Sequence, residues 1–388
     1  MIAPHRRTTW LSIAMAGCLL GGAMPVCGAD VLSEADHLLL SDAADGRLDK
    51  MTLAEAALIA SGSDEGTRRS AIRKFNRRLA EFRQLSLPLD EMERARIAYE
   101  FMHRELLVGE YQADLNDFAG AIADGDFNCV TATLLFHCLA EEVDVSSRAV
   151  AIPKHVFSRL DAATDVETTC PDWFEQPSRA PHEGRVIGNI ELLAKLYYNR
   201  GVKQLHATHF RDALDLIEAS LALDPIDSTA LANRLAGLNN WALARCEAKQ
   251  FAAAAELIYT GLALDDQYEP LLSNDLHIHH LWAEQLCGEG DWLNAIKILE
   301  RRRVVRPDVE LFVSGRRIIY RRWLQSAVAD GSYADKESDL EEARVLLRAA
   351  DDFTVWEASV MASLAAQLEL RGRPAEAERL RVWSQSQR

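Results

Sequence analysis

GDFNCVTATLLFHCLAEE, residues Gly125 to Glu142, is the stretch whose reading decides the fold. Cys129 stands where a turn containing Gly and Asp meets an apolar run, and Val130, Leu134, Leu135 and Cys138 recur at helical spacing. That pattern predicts a buried helix with Cys129 in its first turn. Free backbone amides and the positive end of the helix dipole favour a thiolate over a thiol at such a place. A nucleophile is therefore the expectation for this cysteine.

Downstream, Ala149 to Leu160 contains His155 among Val150, Ile152, Val156, Phe157 and Leu160, which read as strand. A second short strand, Asp165 to Thr169, would place Asp165, Glu167 and Thr169 on one face, because strand side chains alternate. The order is helix, strand, strand.

On these residues the chain from about Leu53 to Phe174 resembles the transglutaminase-like superfamily, and more narrowly its bacterial branch, through NCVTAT at the helix start, PKHVF around His155 and VETT after Asp165. The resemblance implies an α+β, papain-like domain with a Cys-His-acid triad made of Cys129, His155 and Glu167, with Asp165 as the alternative acid. Lys154 stands where the superfamily usually has Gly before the histidine, and on a strand it would face away from the site. Tyr111, upstream of the nucleophile, is a candidate hydroxyl for the oxyanion site. Against this stands a bland reading, in which Cys129 is a small core hydrophobe and His155 a satisfied core residue.

The 388 residues, 48% hydrophobic, are enough for two or more domains. The net charge of -16 becomes -18 once residues 1 to 29, with Arg6 and Arg7 and no acid, are removed. Such a surface argues against nucleic acid as a partner. The start reads as a secretory signal: His5, Arg6 and Arg7, an uncharged run from Trp10 to Met24, and Cys27-Gly28-Ala29 before Asp30. The expected location is periplasmic or secreted, with a lipoprotein anchored at Cys18 as the alternative. No later segment is long and apolar enough to span a membrane. The mature chain keeps Cys129, Cys138, Cys170, Cys246 and Cys287, an odd count that leaves at least one thiol free.

Residues 30 to 124 read as helical. Thr52 to Glu55 is a capping box opening a helix to about Ala60. Ile72, Phe75, Leu79 and Phe82 mark a second helix, and Pro88 with Asp90 opens a third carrying Ile97, Phe101 and Leu107. The prolines and Gly184 between Pro171 and Arg185 mark a boundary, dividing a domain at 30–185 from one at 186–388.

The second part repeats. Phe210, Phe251 and Trp292 recur every 41 residues, followed by Ala213, Ala254 and Ala295, then by Ile217, Ile258 and Leu299. Leu340 with Ala343 and Pro374 with Ala377 continue the pattern, which gives five helical hairpins. Tyr197, Gly201, Phe210, Ala213 and Pro225 resemble the tetratricopeptide repeat, whose stacked hairpins imply a concave groove for a peptide or protein partner. Cys246 and Cys287 occupy equivalent repeat positions and read as small core residues. Arg301, Arg302, Arg303, Arg306, Arg316, Arg317, Arg321 and Arg322 form the one basic concentration, read as a solvated helix face or a grip on an acidic partner. His277, His279 and His280 read as surface histidines, since no ligand spacing accompanies them.

No phosphate loop, zinc knuckle or H-E-x-x-H occurs, so neither cofactor nor metal is expected. The function expected from the sequence is a cysteine hydrolase acting on peptide or side-chain amides, with deamidation or transamidation open to the same triad. The rival expectation is a silent scaffold in which the repeats bind a protein partner.

Overall fold

In the computed structural model, polar caps open the helices of the N-terminal half, where side chains satisfy the orphan amides of a first turn. The structure describes residues 31–85, 90–161, 164–172, 174, 176–177, 184–332, 335–348 and 352–386. The expected signal segment, Cys18, Pro88 and Trp173 lie outside them. Ser33 caps α1 (Glu34–Asp42), Thr52 and Glu55 form the capping box of α2 (Leu53–Ala60), and Asp64 caps α3 (Glu65–Phe82). Asp90 caps α4 (Glu91–Glu105), Asp117 caps α5 (Phe118–Ala123) and Asn128 caps α6 (Cys129–Glu142).

Helix α6 is the axis of this half: every residue from Val130 to Ala140 is buried. It packs against α2, α4 and α5 on one side and a small sheet on the other. The sheet is antiparallel throughout and holds β1 (Arg148–Ile152), β2 (His155–Arg159), β3 (Thr164–Val166), β4 (Gln176–Pro177) and β5 (Arg185–Ile187) in the order β4-β3-β2-β1-β5. The class is α+β.

Two strand expectations are corrected. The segment expected as one strand from Ala149 to Leu160 is a hairpin, with Ile152 paired to His155 across a Pro153-Lys154 turn. Lys154 takes a left-handed φ of 67°, so it is an exposed turn residue instead of a strand residue facing away. A left-handed turn position favours Gly, which lacks the Cβ that makes it costly. The second strand ends at Val166, so Glu167 and Thr169 lie in the turn that follows and share no strand face with Asp165.

The expected division at residue 185 falls inside the fold, since Arg185 opens β5, which pairs with β1. One continuous apolar core runs from Leu39 through α6 to Ile190, Leu193, Tyr197, Leu216 and Leu223. Those last residues belong to α7 (Asn189–His206) and α8 (Phe210–Leu223). The first hairpin is thus shared between both halves. Tyr197, fully buried, donates its hydroxyl to Asp36 Oδ1 at 2.8 Å, and Arg200 donates to the Ala60 carbonyl at 2.9 Å.

The hairpins continue as α9 (Ser228–Glu247) with α10 (Phe251–Leu264) and α11 (Glu269–Gly288) with α12 (Trp292–Val305). They end with α13 (Glu310–Asp330), α14 (Glu337–Leu347), α15 (Phe353–Leu370) and α16 (Pro374–Ser386). Phe210, Phe251 and Trp292 each begin the second helix of a hairpin, and Ala213, Ala254 and Ala295 are fully buried one turn later. The long period comes from the first helix: α9 and α11 have 20 residues against 14 in α10 and α12.

Much of the arginine concentration is turned inward into ion pairs, while Arg301 and Arg321 are exposed as a solvated face would be. Arg302 and Arg306 converge on fully buried Asp275 at 2.7 and 2.6 Å, and Arg316, itself buried, pairs with Glu300. Arg303 also pairs with Glu300, Arg317 with Asp352, and Arg322 with Glu284. His279 is corrected from surface to core: it is fully buried, with Tyr259 on Nε2 at 2.7 Å and Asp275 on Nδ1. His277 and His280 are exposed.

Candidate active site

Asn128 builds the nucleophile's position. Its side chain, 1% exposed, accepts from the Val130 and Thr131 amides at 2.9 Å each, and Thr131 Oγ1 accepts from the Asn128 amide at 2.9 Å. Of the amides in this first turn, that of Cys129 keeps no acceptor among the described residues. Cys129 itself is partly exposed.

A parallel bridge brings Tyr111 alongside. The Phe127 amide donates to the Glu110 carbonyl at 3.1 Å and the Gln112 amide to the Phe127 carbonyl at 2.8 Å. Asp126 closes the same junction, accepting from the Glu110 amide at 2.8 Å and from Gln112 Nε2 at 2.7 Å. A Cβ on Gly109 would meet the Gly125 carbonyl carbon and the Asp126 amide nitrogen at 2.7 Å, so the two backbones need glycine to come this close. Tyr111 packs edge-on against Phe127 at 5.9 Å and lies beside Cys129. Burial first, then its closeness to Cys129 and to the Glu167 carboxylate, raises its phenol pKa.

His155 opens β2 and lies beside Cys129. Its Nε2 meets Glu167 Oε2 at 2.8 Å. Cys129 first and Glu167 second raise the imidazole pKa to about 9 against the effect of burial, so the ring favours its charged form at neutral pH. Burial works against the Glu167 carboxylate, but hydrogen bonds from His155 and Thr169 outweigh it and hold the carboxyl below its ordinary range. The Thr169 hydroxyl donates to Oε1 at 2.6 Å, which leaves Oε2 aimed at the imidazole.

The structure brings Cys129, His155, Glu167 and Tyr111 together and leaves Asp165 out. Asp165 is buried in a bidentate pair with Arg159, at 2.5 and 2.9 Å, across the β2–β3 register. Its carboxylate serves the sheet.

Sequence reasoning missed the residues that hold this arrangement. Buried Tyr99 donates its hydroxyl to the Glu167 carbonyl at 3.2 Å and to that of Cys170, and Thr133 on α6 bonds Thr168 at 2.8 Å. The turn carrying Glu167 is fastened from both sides. His137, fully buried on α6, bonds Ser158 of β2 through Nε2 and Asn189 of α7 through Nδ1, both at 2.6 Å. Burial lowers its pKa to about 4, so it is a neutral strut. A histidine inside an otherwise apolar helix was the available signal, and a buried polar group needs partners.

All five described cysteines are free. Burial raises the pKa of Cys138, Cys246 and Cys287, and Cys246 and Cys287 sit in the repeat core as expected. A cavity of about 740 Å³, lined by Met51, Phe75, Leu79, Cys138 and Asn189, lies toward the other end of α6 and does not include Cys129. Among the described residues there is no cluster of three or more metal-ligating side chains, and no helix is long and apolar enough to cross a membrane. Comparison of the chain with family models, curated proteins and solved structures finds no match.

Proposed function

We propose that the protein is a transglutaminase-like cysteine hydrolase of peptide or side-chain amides, exported by its N-terminal segment, with tetratricopeptide-like hairpins that bind a protein partner. The observation that carries the reading is the meeting of Cys129, at a capped helix start, with an imidazole whose other contact is a carboxylate 2.8 Å away. That is the arrangement of a nucleophile, a general acid-base and its orienter.

In this reading Cys129 Sγ attacks the amide carbonyl carbon, forming a C–S bond and an oxyanion. The free Cys129 amide and the Tyr111 hydroxyl are the donors available to that oxygen. His155 passes its proton to the departing nitrogen as the C–N bond breaks, leaving a thioester. Water, deprotonated by His155, then attacks the thioester, and the carboxylate leaves as the thiol re-forms. Glu167 keeps the imidazole oriented and offsets its charge in both steps. Hydrolysis is preferred over transamidation because water needs no pocket of its own.

The test is a peptide panel incubated with the purified protein and with Cys129→Ala, read by mass spectrometry. Cleavage or deamidation by the wild type alone supports the proposal. Identical product profiles for both proteins favour the scaffold reading.

A further inference from the structure

Along α6, Cys129, Thr133, His137 and Glu141 stand four residues apart, an interval that keeps them on one stripe of a helix. Each has a partner across that stripe. Cys129 lies beside His155, at the start of β2. Thr133 bonds Thr168, the neighbour of Glu167, at 2.8 Å. His137 bonds Ser158 of β2 and Asn189 of α7, both at 2.6 Å, and Glu141 accepts from Nδ2 of the same Asn189 at 2.8 Å. Thr133, His137, Ser158 and Thr168 are fully buried.

The spacing along the two elements agrees. Cys129 to His137 is about 12 Å of helix, and His155 to Ser158 is about 10 Å of strand. Strand β2 therefore runs beside α6 with a contact at each end, thiol to imidazole at one and His137 to Ser158 at the other. The second contact has one proton arrangement. The Glu141 carboxylate accepts, so Asn189 turns Nδ2 to it and Oδ1 to His137. Because Oδ1 can only accept, His137 Nδ1 carries the proton and Nε2 accepts from the Ser158 hydroxyl.

Replacing both partners of a buried hydrogen bond by apolar groups of similar shape is close to neutral for stability. Stability alone does not call for this polar tie, whereas a directional bond fixes a single arrangement of the elements it joins. We infer that His137, oriented by Asn189, is a positioning residue of the thiol site: its bond to Ser158 holds β2 along α6 at the register that brings His155 to Cys129. The inference rests on the proposed thiol chemistry and adds to it the residues that keep its two reacting groups within reach. A shift of about 1 Å between such groups costs on the order of a hundredfold in rate.

The experiment uses the intact protein and its His137→Leu/Ser158→Ala double variant, which removes both partners of the tie and leaves an apolar contact. Iodoacetamide labelling at about pH 6, read by peptide mass spectrometry, gives the rate at Cys129, and NMR titration follows the His155 imidazole. The double variant should alkylate Cys129 about tenfold more slowly or worse, and His155 should titrate below its wild-type value of about 9. Ser158→Ala alone, which loses a single oxygen, should move both in the same direction by less. Nitrogen-15 spectra of the wild type should show His137 protonated at Nδ1.

A purely structural tie would lower only the urea midpoint. An unchanged Cys129 rate and an unchanged His155 titration in the double variant, or in Ser158→Ala where the double variant does not fold, overturn the inference and leave the thiol chemistry standing. A His137 protonated at Nε2 overturns it as well. Wild-type Cys129 that labels no faster than Cys138 rejects the thiol chemistry and this inference with it.

Discussion

Glu167 gives one carboxylate oxygen to each of two partners: Oε2 meets His155 Nε2 at 2.8 Å, and Oε1 takes the Thr169 hydroxyl at 2.6 Å. The hydroxyl fixes the rotation of the carboxylate and so its aim at the imidazole. Glu167→Gln should lower the His155 pKa from about 9 toward its ordinary 6.5, which NMR titration of the imidazole measures. Turnover should fall on the order of a hundredfold or more. Thr169→Ala should move both in the same direction by less, and Asp165→Asn should leave the His155 titration in place.

His137 makes the fold acid-sensitive. Burial holds its pKa near 4, below the 6.5 of an unfolded histidine, so between those values the unfolded chain binds the extra proton. Stability is then complete above about pH 6.5 and is lost as pH falls toward 4, by about 3 kcal/mol for this group. Urea midpoints measured across that window should fall less steeply in His137→Gln, which keeps hydrogen-bonding capacity without titrating.

Lys154 at φ 67° carries a left-handed backbone that an L side chain adopts at a cost. Lys154→Gly should relieve it. Because glycine also loses more entropy on folding, the net gain in a urea unfolding experiment should stay below about 1 kcal/mol.

Asp275, fully buried, holds Arg302, Arg306 and His279 together between α11 and α12. Asp275→Asn removes the one anion from that cluster and should cost about 3 to 5 kcal/mol, seen in chemical denaturation.

What the sequence made legible follows periodicity and caps. The turn containing Gly and Asp before an apolar run located α6, the Thr52–Glu55 box located α2, and the spacing of Phe210, Phe251 and Trp292 marked the helix starts of the hairpins. The Pro153-Lys154 turn was hidden because apolar residues continue across it. β5 was hidden because three residues after a proline-rich stretch offer no pattern. Shared cores leave no local trace either: Tyr197 matched a repeat position, yet its hydroxyl serves Asp36, 161 residues away. Asp165 and Glu167 looked equivalent by alternation, and the structure separates them by pairing Asp165 with Arg159 across the sheet and Glu167 with His155 beyond the strand's end.

Selective alkylation of Cys129 tests the central claim most directly. At about pH 6 an iodoacetamide-type reagent should modify Cys129 well before Cys138, Cys246 or Cys287, because this thiol alone among them meets an imidazole favouring its charged form. His155→Ala should abolish that preference. Equal, slow labelling of all the cysteines, unchanged by His155→Ala, would contradict the account.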